Sequence, residues 1–271
     1  MIYNLPKKRA ENEDCFLTFS APAVFQITAV RGIGWNSKME YSVDAESWTE
    51  WDGAALTAQL LGNGLYALYF RGTGNTVITM VKTLPSYWTI SGENVSCFGN
   101  IESLLDWQSV RKWIHPKIGG SCFHSMFINC AALIKAPDMR MKTTNVNCFF
   151  GMFRGCVNLT EPPHLFVRSF ATTAAVNMFN GCTSLAALPE ITALSFSKQA
   201  NTAMFGGCTG IRLSETQTDE YTQPYRIPAE GTGRFLQGSA FANMFDGTGG
   251  TFTGTPELNT TYYLHKDCRI V

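Results

Sequence analysis

The sequence has no excess of charge of either sign. Lysine and arginine number 21, aspartate and glutamate also 21, and charged residues fill only 15% of 271 positions, against about 25% in ordinary soluble domains. The one run of like charge, Lys7-Lys8-Arg9, reads as a solvated N-terminal arm. Nucleic-acid binding rests on neutralising many phosphates, so this balance argues against it. Long hydrophobic runs are missing too. No window approaches 18 consecutive apolar residues, so no membrane insertion is expected. The opening Met-Ile-Tyr-Asn-Leu-Pro has neither a basic start leading into an apolar run nor a small-residue cleavage site, so no secretory signal is expected.

The groupings that catalysis and metal binding need are equally scarce. The histidines are His115, His124, His164 and His265. None lies four residues from another, and Cys122-x-His124 is too little for a metal site. Gly72-Thr-Gly-Asn-Thr76 is glycine-rich but lacks the Lys-Ser/Thr of a phosphate loop, so a hairpin turn is expected there. Tyr41-Ser-Val-Asp-Ala-Glu-Ser-Trp48 is similar to the Asp-box turn of sialidases. Its Trp comes one position early and Glu46 replaces Gly, which leaves a simple hairpin. No persuasive pair of carboxylates suggests glycoside cleavage. The expectation is a protein that is not an enzyme and uses no cofactor or metal.

What the sequence does have is a repeat. Met-Phe occurs at Met126, Met152, Met178 and Met204, a strict 26-residue period, and again at Met244 after a longer interval. Four residues after each Met stands Cys130, Cys156, Cys182, Cys208 or Thr248. One residue before that lies Asn129, Gly155, Gly181, Gly207 or Gly247. Leu133, Leu159, Leu185 and Ile211 share a register, as do Pro137, Pro163 and Pro189. A small residue sits four before each Met: Cys122, Cys148, Ala174, Ala200 and Ala240. Apolar columns at fixed spacing mark stacked coils of a solenoid, since one coil cannot bury its apolar edge alone. Each Met-Phe-x-Gly-Cys is expected to form a short helical turn, and each Leu-x-x-x-Pro a short strand closed by Pro. The cysteine column reads as small buried filler. The phenylalanine column, Phe127 to Phe245, reads as the stacked core, with Phe179 at its centre the costliest to truncate and its ends cheaper.

The phrases MFINCAALIKAP, MFRGCVNLTEPP, MFNGCTSLAALP and MFGGCTGI resemble BspA-like leucine-rich repeats over about Gly119 to Leu258. The fourth and fifth copies depart from the pattern, with an insertion from Ser214 to Arg234 and Thr248 in place of Cys. The resemblance implies adhesion or recognition without catalysis, as in bacterial surface proteins and phage virion proteins. Tyr69 to Thr76 and Gly99 to Asp106 also look like the leader ahead of such repeats in phage-associated homologues.

The fold expected is mainly β: an N-terminal antiparallel β-sandwich over 1–98, a helical cap or linker over 99–118, and a solenoid of about five coils over 119–271. Strands are expected at Cys15–Ser20, Val24–Val30, Lys38–Val43, Leu65–Arg71, Thr76–Val81 and Tyr87–Ser91. A helix is expected from Asn100, as its cap, to Trp113, covering the first coil. The tail Thr260 to Val271 alternates like a final strand and is expected to cap the last coil. The insertion over 214–234 offers Tyr221, Tyr225, Arg226 and Arg234, common anchor chemistry for recognition, although such a loop equally serves to cover neighbouring surface. The functional expectation is a virion component, a tail-fibre, decoration or receptor-binding protein, that meets other virion proteins or a host-surface protein or glycan. A bacterial surface adhesin is the alternative, and a homo-oligomer is compatible with either.

Overall fold

The computed structural model describes residues 15–30, 38–79, 86–227, 235–236 and 239–271. It is mainly β, with several sheets, no barrel, and a single short helix among the described residues. Lys7-Lys8-Arg9 lies outside the described residues.

Alternation of apolar and polar residues builds the first part. Its strands are β1 (Leu17–Ala21), β2 (Gln26–Val30), β3 (Met39–Ser42), β4 (Thr49–Glu50), β5 (Leu56–Thr57), β6 (Gln59–Leu60), β7 (Tyr66–Gly72), β8 (Tyr87–Ser91) and β9 (Val95–Phe98). Leu17, Phe19 and Ala21 of β1 face inward, as do Leu68 and Phe70 of β7, the period of two that a half-buried strand requires. One sheet runs β9-β1-β7-β3-β4, with β6 also on β7; a second runs β5-β2-β8. Aromatic rings join the two: Trp88 of β8 lies 5.0 Å from Phe70, 6.2 Å from Phe19 and 4.9 Å from Trp51. This arrangement is compatible with a β-sandwich. The Asp-box-like segment is the β3–β4 connection. Asp44 accepts the backbone N–H groups of Glu46 and Ser47, which holds its carboxyl down at about 2. Thr76 to Thr79 forms no strand; Ile78 instead donates its N–H to Cys122 of the first repeat.

The helix α1 (Ser103–Arg111) begins three residues later than expected and is split at Asp106, whose backbone is extended. Asn100 accepts the N–H of Glu102 rather than capping a helix. The helix packs on β7. Gly72 is required there, because any β-carbon would collide with the Leu104 carbonyl. The Asn75 side chain fastens the same corner, bonding both backbone groups of Lys38 and the carbonyl of Leu104 at 2.8–2.9 Å. The Arg71 guanidinium sits between the rings of Trp48 and Trp107, 4.0 and 4.2 Å from their centroids.

The repeats stack one on the next, by a local structure that differs from the expected helical turn. Backbone N–H groups alternate between two destinations. Those of Met152 and Cys156 turn back three residues, to Phe149 and Phe153. Those of Phe149, Gly151, Phe153 and Gly155 reach forward into the next repeat, to Ala174, Val176, Met178 and Asn180, at 2.7–2.9 Å. Left-handed backbone recurs every fourth residue, as at Asn147, Gly151 and Gly155, then Thr173, Asn177 and Gly181. Each such residue stops a helix from propagating, and its own N–H points sideways, toward the neighbouring repeat. Gly holds the last of these positions in four copies and Asn129 in the first, the two residues that best tolerate this region. Two phenylalanines meet in each interval of the main column: Phe127, Phe153, Phe179, Phe205 and Phe245 stack with centroids 5.4–5.6 Å apart.

Short strands follow the turns. They are β10 (Leu133–Lys135), β11 (Ser169–Phe170), β12 (Ala187–Leu188), β13 (Ser195–Phe196), β14 (Leu213–Ser214), β15 (Tyr221–Arg226), β16 (Phe235–Leu236), β17 (Thr261–His265) and β18 (Arg269–Ile270). β10 extends the first sheet by pairing in parallel with β9, so the sheet and the repeats share one continuous core. Not α1 but the aromatic core of the first part meets the first repeat's phenylalanine: Phe127 lies 6.0 Å from both Phe19 and Trp88. At the other end, β17 sits between β14 and β15, and β18 pairs with β12. The tail therefore binds the insertion and the third and fourth copies rather than the last one alone.

Both ends of the phenylalanine column are thus covered, Phe127 by Phe19 and Trp88, and Phe245 by Tyr225 and Phe252. The expected gradient should flatten: Phe127→Ala, Phe179→Ala and Phe245→Ala should each cost about 3–5 kcal/mol in denaturant unfolding. A central cost far above both ends would mean that the covers contribute little. Deleting Tyr262 to Val271 removes the middle strand of the terminal sheet and exposes Leu213 and Tyr225. Aggregation of the truncated chain on size-exclusion chromatography is expected, and a soluble chain of unchanged midpoint would reject the capping role.

Candidate functional site

The residues singled out in the insertion do not converge. Tyr225 alternates inward on β15; it is buried, its hydroxyl donates to the Pro189 carbonyl at 3.2 Å, and its ring edges against Phe245. It is a core residue of the end sheet and offers no surface anchor. Tyr221 is half-buried with its ring edge-on to His265, and Arg226 reaches Asn259 at 3.4 Å. Arg234 lies outside the described residues. The arrangement fits the covering role of such a loop.

The cysteine column behaves as a structural ladder. Cys156, Cys182 and Cys208 each donate their thiol to the phenylalanine carbonyl of the preceding repeat, at 3.0–3.1 Å. Thr248, with no repeat of this spacing behind it, turns its hydroxyl to Phe245 of its own turn instead. Burial pushes the Cys130 thiol up to about 12 and that of Cys156 far up, which keeps both protonated and unreactive. In the neighbouring small-residue column, Cys122 and Cys148 stand side by side, their Cα atoms 4.9 Å apart. The His124 ring stacks on Phe150 at 4.8 Å. Among the described residues no group of three His, Cys, Asp or Glu is placed to hold a metal ion.

Two other features escape a reading of the sequence. The first is Glu102, a buried carboxyl that meets the Nδ1 of half-exposed His115 at 2.9 Å. His115 lines a cavity of about 260 Å³ with Pro116, Ile118, Lys142 and Asn145. The second is the outward side of the extended segments. Along 138–142 and 164–168, Met139, Met141, Leu165 and Val167 point inward, while Arg140, Lys142, His164, Phe166 and Arg168 point out. Asp138 binds Arg140 and His164, both at 2.8 Å. Burial raises its pKa, but these two partners outweigh burial and hold the carboxyl below its ordinary range. The 26-residue register carries the signal for this face, since Lys142 and Arg168 follow Met126 and Met152 at the same offset.

In comparisons with known proteins, no family model, no curated protein and no solved structure matches the chain. The class that the geometry defines is therefore a β-rich protein of stacked repeats.

Burial holds the Glu102 carboxyl above its ordinary range, more than the bonds from His115 and Asn100 pull it down. A raised folded value contributes stability below the unfolded value that is lost as pH rises through the folded one. Glu102→Gln should therefore raise the melting temperature at neutral pH, and the gain should shrink toward and below the unperturbed 4.5. Melting curves at acidic and neutral pH test this. A lower midpoint at neutral pH would show that the charged pair with His115 outweighs burial.

Proposed function

We propose that this chain is a non-catalytic recognition protein, an N-terminal β-sandwich joined to a short solenoid of BspA-like leucine-rich repeats. Its place is a phage or prophage virion, as a tail-fibre, decoration or receptor-binding component that engages a host-surface protein or glycan. The observation that carries this reading is the 26-residue register, kept at once by the backbone ladder, the phenylalanine column and the thiols. A rigid stack of this kind presents a long surface built from repeated positions, the usual use of repeat architectures. A bacterial surface adhesin is the second reading.

The test has two arms. Purified, labelled full-length chain should attach saturably to cells of a bacterial host, and mass spectrometry of particles purified from a lysate should find the chain in them. Attachment without particle association would favour the adhesin. Absence of both, or turnover of glycans by the purified chain, would overturn the proposal.

A further inference from the structure

The outward face of the repeats carries an electrostatic feature that the fold does not account for. Met139 pairs with Leu165 and Thr143 with Ser169, both in parallel register, so Lys142 stands directly beside Arg168. Like charges opposed on neighbouring strands repel. Neither side chain has an acidic partner among the described residues. Both are exposed. His115 lines the same cavity as Lys142, but its ring is already bonded to Glu102. Arg140 and Phe166 form the adjacent row. The guanidinium lies 5.0 Å from the centre of the ring, which is 54% exposed. Of the acids near this face, Asp138 is committed to Arg140 and His164, Glu102 is committed to His115, and Glu190 stands one repeat on from His164.

Within the recognition reading above, on which this rests, we infer that the neighbouring cations Lys142 and Arg168 bind an acidic polysaccharide. Carboxylates or sulfates on successive sugars would lie between Lys142 and Arg168 and relieve their repulsion. The face suits nucleic acid poorly. Single strands are held by a long basic groove and several stacking platforms, and here there is one aromatic ring, already flanked by Arg140 and His164.

The experiment titrates the full chain with polygalacturonate, neutral dextran, poly-glutamate and single-stranded DNA of matched charge, at low and moderate salt. Polygalacturonate should bind, more weakly as salt rises, and dextran should not. Lys142→Gln with Arg168→Gln should lower the affinity about tenfold, the loss expected of two exposed charge contacts. Arg154→Gln, which removes an exposed cation from a turn, should leave it within about twofold. Melting curves of both variants confirm that they fold. Unchanged binding by the double variant, equal binding of dextran, no binding of polygalacturonate, or tighter binding of poly-glutamate or DNA would each overturn the inference. If labelled chain still attaches to cells, and neither polygalacturonate nor the double substitution affects it, the recognition reading stands and only this ligand assignment falls.

Discussion

The hydrogen bond from a backbone N–H to a carbonyl of the next repeat is the constraint on which the rest of the structure depends. It consumes every second N–H of the turn segments, and the bonds back over three residues consume the others. In the second and third copies no backbone donor of the turn is left for water or for a helix, which is how a buried, non-helical chain meets its polar requirement. The same bond fixes the 26-residue period and sets equivalent side chains about one strand separation apart. That is why phenylalanine stacks on phenylalanine and why the thiols of Cys156, Cys182 and Cys208 find the carbonyl of the repeat behind. The longer interval before Met244 obeys the rule too. The extra chain leaves at β14, and the ladder resumes with Phe205 donating to Met244 and Gly207 to Asp246.

A stack held this way has two open ends, and each is closed by a different device. At the start, β10 joins the edge of the first sheet and Phe127 continues directly into the Phe19–Trp88 cluster. The two parts of the chain therefore share one core rather than meeting across an interface. At the finish, insertion and tail are far apart in sequence but form one antiparallel sheet, β14-β17-β15. This sheet lays Tyr225 and Tyr262 inward. It supplies the antiparallel pairing that an exposed coil edge would otherwise seek from another molecule.

The period of the repeats is legible in the sequence because packing demands the same residue at the same place in each copy. The form of the turn is not. Its sign is a left-handed residue every fourth position, and only Gly and Asn announce that state. Ser125, Thr173, Gln199 and Ala203 occupy it silently, held there by the ladder. Tyr225 misleads for a related reason. Tyrosine and arginine in a long insertion have the composition of an interface, but the partner strand β17 lies far on in the chain, and local sequence gives no sign of it. The covering of the first repeat falls to a different element than expected because Ile101, Leu104 and Leu105 do form an apolar face, yet that face packs on β7. Glu102 is invisible as a buried acid, since an acid just ahead of a helix ordinarily faces solvent and its partner His115 stands thirteen residues on.

The side of the stack free to carry recognition follows from the same ladder. In the turns, Met, Phe and the small residue of every copy point inward, and a left-handed backbone position stands between them. Substitution there must satisfy both packing and backbone. In the extended segments the pleat sends alternate residues out, and the inward set (Met139, Met141, Leu165, Val167) carries the packing alone. Outward positions are released from any structural demand, so a repulsive pair such as Lys142 and Arg168 costs the stack little and persists on a surface that could as easily have been neutral. Any ligand that reads this chain by repeated charge must therefore run along the stacking direction, crossing the extended segments one after another.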